Sequence, residues 1–152
     1  MTISREETIE LLKQAYCMEL ETVMNYLANS VNLDGVRAEE IKKSLSADIT
    51  EELGHATQLA QRIKQLGGLV PGSAGVTLGQ QRQPPEDTTD VVYVIESVIE
   101  AEQAACEHYQ KIIRATDGSD YVTQDLCIRL LASEEEHLIQ FQGYLKEYQK
   151  SG

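Results

Sequence analysis

Two stretches, EELGH (51–55) and SEEEH (133–137), each place a glutamate three residues ahead of a histidine. In a helix such a pair shares one face, a turn apart. Glu52 would then point the same way as His55, and Glu134 the same way as His137. A carboxylate and a neutral imidazole presented together suit a divalent first-row metal such as iron or manganese. Two further acids stand in comparable places. Glu19 lies 52 − 19 = 33 positions before Glu52, and Glu102 lies 134 − 102 = 32 positions before Glu134. Each is followed seven residues later by a tyrosine, Tyr26 and Tyr109. The chain reads as two similar halves related by a pseudo-two-fold axis.

The elements that must hold these residues are helices. Apolar residues recur at steps of three and four in four long segments, the spacing that keeps side chains on one helical face. The first helix starts after Ser4, which forms a capping box with Glu7, and runs to about Asn32. The second begins near Val36 and stops at Gly67-Gly68. The third follows Pro84-Pro85, capped by Asp87 or Thr88, and ends around Thr116. The fourth runs from about Ser119 to Tyr148. Short connections make the first two helices one antiparallel hairpin and the last two another. The segment between them, GGLVPGSAGVTLGQQRQPPED, is too long for a tight turn. It is explained if it crosses the length of the molecule and sets the third helix parallel to the second. The expected fold class is all-α, a four-helix bundle with one long crossover, forming a single domain over residues 1–152.

Each apolar stripe is interrupted near its middle. The stripes read Ile9, Leu12, Tyr16, Glu19, Val23, Tyr26; Ile41, Leu45, Asp48, Glu52, His55, Leu59; Val91, Ile95, Val98, Glu102, Ala105, Tyr109, Ile112; and Cys127, Leu130, Glu134, His137, Phe141, Tyr144. Four carboxylates and two imidazoles would meet at one level of the core. Four unpaired buried carboxylates repel one another and cost several kcal/mol each. Two divalent ions would balance their charge, with neutral imidazoles completing the coordination. Glu21, Glu51, Glu107, Glu135 and Glu136 fall off the stripes and are expected in solvent, and His108 is expected to be exposed. Cys106 and Cys127 face inward as small apolar residues, with Cys106 one turn beyond Glu102.

Composition narrows the function classes. The formal net charge of −12 opposes nonspecific binding to nucleic acid or anionic membrane. An odd count of three cysteines with no C-x-x-C pair opposes a disulfide framework. The opening MTISREETIE carries acids where a signal peptide needs an apolar run, and no apolar run is long enough to span a bilayer. The expected location is cytoplasmic.

The stretches ELETVMNY (19–26), EELGH (51–55), IEAEQAACEHY (99–109) and SEEEH (133–137) resemble the ferritin-like superfamily, most closely the bacterioferritins. The resemblance implies a site for two iron ions per subunit, with manganese fitting the same donors. Glu19 and Glu102 would each be a terminal ligand, Glu52 and Glu134 would bridge, and His55 and His137 would each bind one metal. It implies oxidation of Fe(II) to Fe(III) by O2 or hydrogen peroxide, with Tyr26 assisting by hydrogen bonding or by carrying an electron. A homo-oligomer, at least a dimer, is implied as well. The alternative is a non-storage di-metal oxidoreductase of peroxidase or manganese-catalase type working as a small oligomer; an interaction bundle with remnant acids is a third reading. Three departures stand out. Leu53 occupies the position where bacterioferritins carry a haem-binding Met, so no haem is expected. Only 152 − 137 = 15 residues follow His137, too few for the fifth helix of the large cages. A Cys-rich iron domain of rubrerythrin type has no counterpart. With no basic tail, the DNA-coating role of mini-ferritins is not expected.

Overall fold

Ser4 begins the first helix as its sequence requires. Its hydroxyl accepts from the Glu7 N–H while the Glu7 carboxylate accepts from the Ser4 N–H, each at 3.1 Å. The computed structural model describes residues 3–151. Its long helices are α1 (Arg5–Asn32), α2 (Glu39–Gln65), α3 (Val91–Thr116) and α4 (Tyr121–Ser151), with no strand among the described residues. A 3-10 turn, Val36–Ala38, leads into α2. The cap of α3 is Asp90, whose carboxylate accepts from the Tyr93 N–H at 3.1 Å. Of the two residues expected in that role, Asp87 instead closes a turn onto the backbone and hydroxyl of Thr89, and the Thr88 hydroxyl donates to Asp34. The two aspartates are both competent caps, and the deciding factor is where the crossover delivers the chain. Asp120 caps α4 by accepting from the Thr123 N–H.

The end of α2 shows why two glycines are needed. Gly68 N–H donates to Ile63 O and Gly67 N–H to Lys64 O, at 2.9 and 3.0 Å, the paired bonds of a Schellman turn. Gly67 has φ +89, open to glycine at little cost. A Cβ on Gly68 would lie 2.9 Å from Ile9 Cγ2 and 3.0 Å from Ile63 Cγ2.

Helix directions follow from which ends meet. One apolar cluster joins Tyr26 and Leu33 from the end of α1, Ile41 and Leu45 from the start of α2, Val91 to Val98 from the start of α3, and Phe141 and Tyr148 from the end of α4. The helices α2 and α3 therefore run in one direction and α1 and α4 in the other, as the crossover demands. The second cluster gathers Leu12, Leu59, Ile63, Tyr109, Ile112, Cys127 and Leu130. The polar layer lies between these two apolar ends. Arg37 and Tyr148 pin one end by hydrogen bonds in both directions and a cation–π contact at 4.9 Å. Arg62 pins the other, bonding Asp120 and Thr123 at 2.9 Å each.

The crossover is tied down along α1. Both oxygens of Glu21 accept backbone N–H groups of the strap, from Gly79 and Gln80, at 2.8 Å each. Asn25 and Thr22 bind the Gln80 side chain. Glu21, expected in solvent, is thus buried beneath the strap. Ile9, Tyr16 and Val23 are only half-buried, so α1 departs most from its expected stripe. No helix among the described residues is long and apolar enough to cross a membrane.

Candidate metal centre

Glu19, Glu52, Glu102 and Glu134 are each 1% exposed, and His55 and His137 are 7% and 5% exposed. Carboxylates this deep are rare unless something compensates their charge. The helices deliver them as two overlapping sets, Glu19–Glu52–His55–Glu134 and Glu52–Glu102–Glu134–His137. In each set the four donor atoms lie within 4.8 Å of one another. Glu52 and Glu134 belong to both sets; Glu19 with His55, and Glu102 with His137, belong to one each. The structure therefore brings all six residues together, with the sharing that a bridged pair requires.

The imidazoles turn their Nδ1 atoms inward. His55 Nδ1 lies 2.7 Å from Glu134, 3.5 Å from Glu19 and 3.6 Å from Glu52. His137 Nδ1 lies 3.0 Å from Glu52, 3.7 Å from Glu134 and 4.0 Å from Glu102. On its far side His137 Nε2–H donates to Glu51 Oε2 at 2.6 Å. Once the imidazole gives up its second proton, that bond favours the tautomer in which Nδ1 keeps its lone pair for a metal. The two tyrosines cross between halves. Tyr26 in α1 donates its hydroxyl to Glu102 in α3, and Tyr109 in α3 donates to Glu19 in α1 at 2.7 Å.

A fit to metal is visible in what stays unsatisfied. Glu19 Oε2, Glu52 Oε1, Glu102 Oε2, Glu134 Oε2 and His137 Nδ1 are buried without a hydrogen-bond partner. Orphaned buried acceptors are costly and uncommon. Here they cluster and face one another, and the donors are carboxylate and imidazole, the set suited to iron or manganese.

Without metal, protons must carry the compensating charge. Burial, followed by the charge of Glu19, raises the Glu52 pKa well above the carboxylate range. Burial, then contact with Glu134, does the same to Glu102. Burial alone would raise Glu134, but hydrogen bonds with Glu102, His137, His55 and Glu52 hold it far below. Burial resists charging His55, yet hydrogen bonds to Glu134, Glu19 and Glu52 push its pKa up to about 12. Burial is likewise outweighed at His137, where Glu134 leads the carboxylates that take it up to about 10. Burial, then the charge of Glu102, raises the Tyr26 hydroxyl well above its usual range, so it stays a donor.

Other expectations divide. Glu107, Glu135 and Glu136 are exposed, as their phase predicts. Glu51 has a 54% exposed side chain, yet it reaches inward to His137. Asp48, which sits on the α2 stripe, lies beside that contact. His108 is half-buried, with Nε2–H donating to the Leu11 carbonyl at 2.8 Å; no local pattern announces a partner on another helix. Cys17, Cys106 and Cys127 are buried and free. Burial, then the charge of Glu134, pushes Cys106 up to about 11, a neutral thiol rather than a reactive thiolate.

The ferritin-like domain family matches residues 9–151. A bacterioferritin from Desulfovibrio desulfuricans is 28% identical over 142 residues, 91% of this chain and 74% of that protein. A DNA protection during starvation protein from Pyrococcus furiosus is 30% identical over 147 residues, 94% of this chain and 79% of that protein. Among solved structures, a dodecameric thioferritin, the bacterioferritin-related protein from Bacteroides fragilis, superposes with a TM-score of 0.90 at 24% identity. It covers 99% of this chain and 90% of that one. A ferritin-like diiron-carboxylate protein from Bacillus anthracis superposes with a TM-score of 0.80 at 24% identity, covering 95% of this chain and 99% of that one. At such identity the superpositions speak to the fold alone.

Proposed function

Because the chain belongs to the ferritin-like domain family, we propose that it binds two Fe(II) ions per subunit and oxidises them to Fe(III) with O2 or hydrogen peroxide. The observation that carries this reading is the cluster of orphaned donors at the centre of the bundle. Iron is the substrate. Two Fe(II) supply two electrons, which with two protons convert O2 to hydrogen peroxide, or hydrogen peroxide to two waters.

The chain's own residues supply binding and position. Glu19 with His55 holds one ion, Glu102 with His137 holds the other, and Glu52 and Glu134 are shared between them. Tyr26 and Tyr109 each fix one oxygen of an outer carboxylate and leave the second free, which keeps the donors oriented before iron arrives. The apolar layers above and below limit water at the site and strengthen its electrostatics. Manganese satisfies the same donors, so metal content after purification separates a ferroxidase from a manganese enzyme. The thioferritin from Bacteroides fragilis is dodecameric. The reading includes assembly of this chain into a homo-oligomer, at least a dimer, that keeps or detoxifies iron in a reducing cytoplasm, where the three free thiols persist.

Glu52→Ala and His137→Ala should each abolish rapid Fe(II) oxidation in a stopped-flow assay while leaving the helical circular-dichroism signal in place. Wild-type rates in either variant would sink the assignment.

A further inference from the structure

The strap does more than join the hairpins. It roofs a cavity of about 600 Å³ between α1 and α3, a volume within the roughly 300–1,000 Å³ of small-molecule sites. Cys17 and Met18 line it from α1, Ala101, Ala104 and Ala105 from α3, and Pro71 from the strap. Ala104 is exposed, so the cavity opens to solvent. Glu21 holds the roof in place, its two oxygens accepting the Gly79 and Gln80 N–H groups. The alanines leave space that larger side chains on α3 would fill, and close-packed proteins ordinarily keep few voids of this size.

The charged groups around the cavity already have partners. Lys13 Nζ lies 3.7 Å from Glu10, Arg82 Nε lies 3.1 Å from Glu100, and Glu21 is taken by the strap. A ligand bearing a phosphate or carboxylate would therefore find no spare cation. Among the described lining residues, one buried donor is left over. Arg82 Nη1, 3.8 Å from Glu96, has no hydrogen-bond partner. The guanidinium stacks over Tyr93, 5.0 Å from the ring centroid, which fixes its position. Apolar walls with one buried N–H suit a flat, uncharged ring that carries a carbonyl acceptor.

The position of the cavity adds a role. Met18 precedes Glu19, and Ala101 precedes Glu102, so the cavity backs onto both outer carboxylates of the centre. A helix with its side chains is about 10–12 Å across, and a ring held between α1 and α3 lies within about that distance of the centre. We propose that the cavity binds a quinone-type electron carrier, whose quinol form returns electrons to the oxidised iron. The inference rests on the di-iron reading above and adds the step by which iron is released. One quinol gives one electron to each of two Fe(III) and loses two protons, leaving a quinone and two Fe(II).

The test uses menadione, an uncharged naphthoquinone, and its quinol, menadiol. Calorimetry on the metal-free full chain should give one menadione per subunit. Ala104→Leu narrows the cavity and Arg82→Met removes the buried donor; each should weaken binding by about tenfold. After loading with iron and oxidation, limiting menadiol under anaerobic conditions should release Fe(II) to a chromogenic chelator. Release should be about tenfold faster from the wild type than from either variant. Oxidation of Fe(II) by O2 should keep its wild-type rate in both variants. No binding, binding that neither variant weakens, or equal release from all three proteins overturns the inference and leaves the di-iron reading standing. A wild type that takes up no iron overturns both.

Discussion

At the scale of single residues, the centre balances charge with whatever cation is at hand. In the metal-free protein the raised pKa values of Glu52, Glu102, His55 and His137 mean that protons stand where metal charge would be. Metal binding needs deprotonated ligands and so must expel them. Loading two Fe(II) per subunit anaerobically near pH 7 should release about four protons, read with an indicator in weak buffer. Uptake of metal without proton release would contradict this picture. The same shifts fix a pH dependence of folding. An imidazole whose pKa is raised in the fold stabilises the native state fully below its unfolded value of about 6.5. That stabilisation is lost as pH rises toward the folded values of about 10 for His137 and about 12 for His55. The Tm of the metal-free protein should therefore fall steadily from pH 6.5 to 9, and metal should reduce that slope. A flat or rising profile would refute it.

At the scale of elements, the strap that joins the hairpins depends on one buried carboxylate. Glu21 accepts two backbone N–H groups of the strap at 2.8 Å, and hydrogen bonds to a charged group are the stronger kind. Glu21→Ala should lower stability by about 2 kcal/mol, measured by urea unfolding. The strap supplies none of the proposed ligands, so the Fe(II) oxidation rate at 25 °C should stay near wild type. Loss of oxidation without loss of stability would show that the strap's anchoring matters to the site itself. Four long helices are needed because each contributes one inward level, and only the pairing of α1 with α2 and α3 with α4, crossed over by the strap, sets all four levels side by side.

At the scale of the whole molecule, the chain exposes apolar side chains in an ordered way. Met24, Leu27 and Val31 of α1 are 55%, 54% and 70% exposed, at spacings of three and four that share one helical face. Leu53 on α2 is 50% exposed. This stripe is where the proposed homo-oligomer would associate. Leu27→Glu should shift the protein toward smaller species in gel filtration with light scattering, while the isolated subunit keeps its helical signal. An unchanged elution profile would remove this face from the interface.

Much of this molecule is legible in one dimension. The helix periodicity, the Ser4 cap, the Gly67-Gly68 stop and the interrupted stripes of α2 and α3 depend on neighbours within a turn or two, where spacing translates directly into direction. The six central residues can be named because a charged residue in an apolar register is conspicuous wherever the helix packs. What spacing does not convey is contact between helices far apart in sequence. Glu21 reads as a solvent residue because nothing near it says that a strap some 58 residues away will cover it. Glu51 and His108 gain partners in the same way, 86 and 97 residues distant. The cap of α3 is Asp90 rather than Asp87 because the path of the crossover, not the local residues, decides where the helix can begin. The sequence by itself determined the four helices and the chemistry they carry inward. Only the tertiary structure decided which tyrosine meets which carboxylate across the halves and which side of His137 opens to solvent, because both depend on how the helices are rotated against one another.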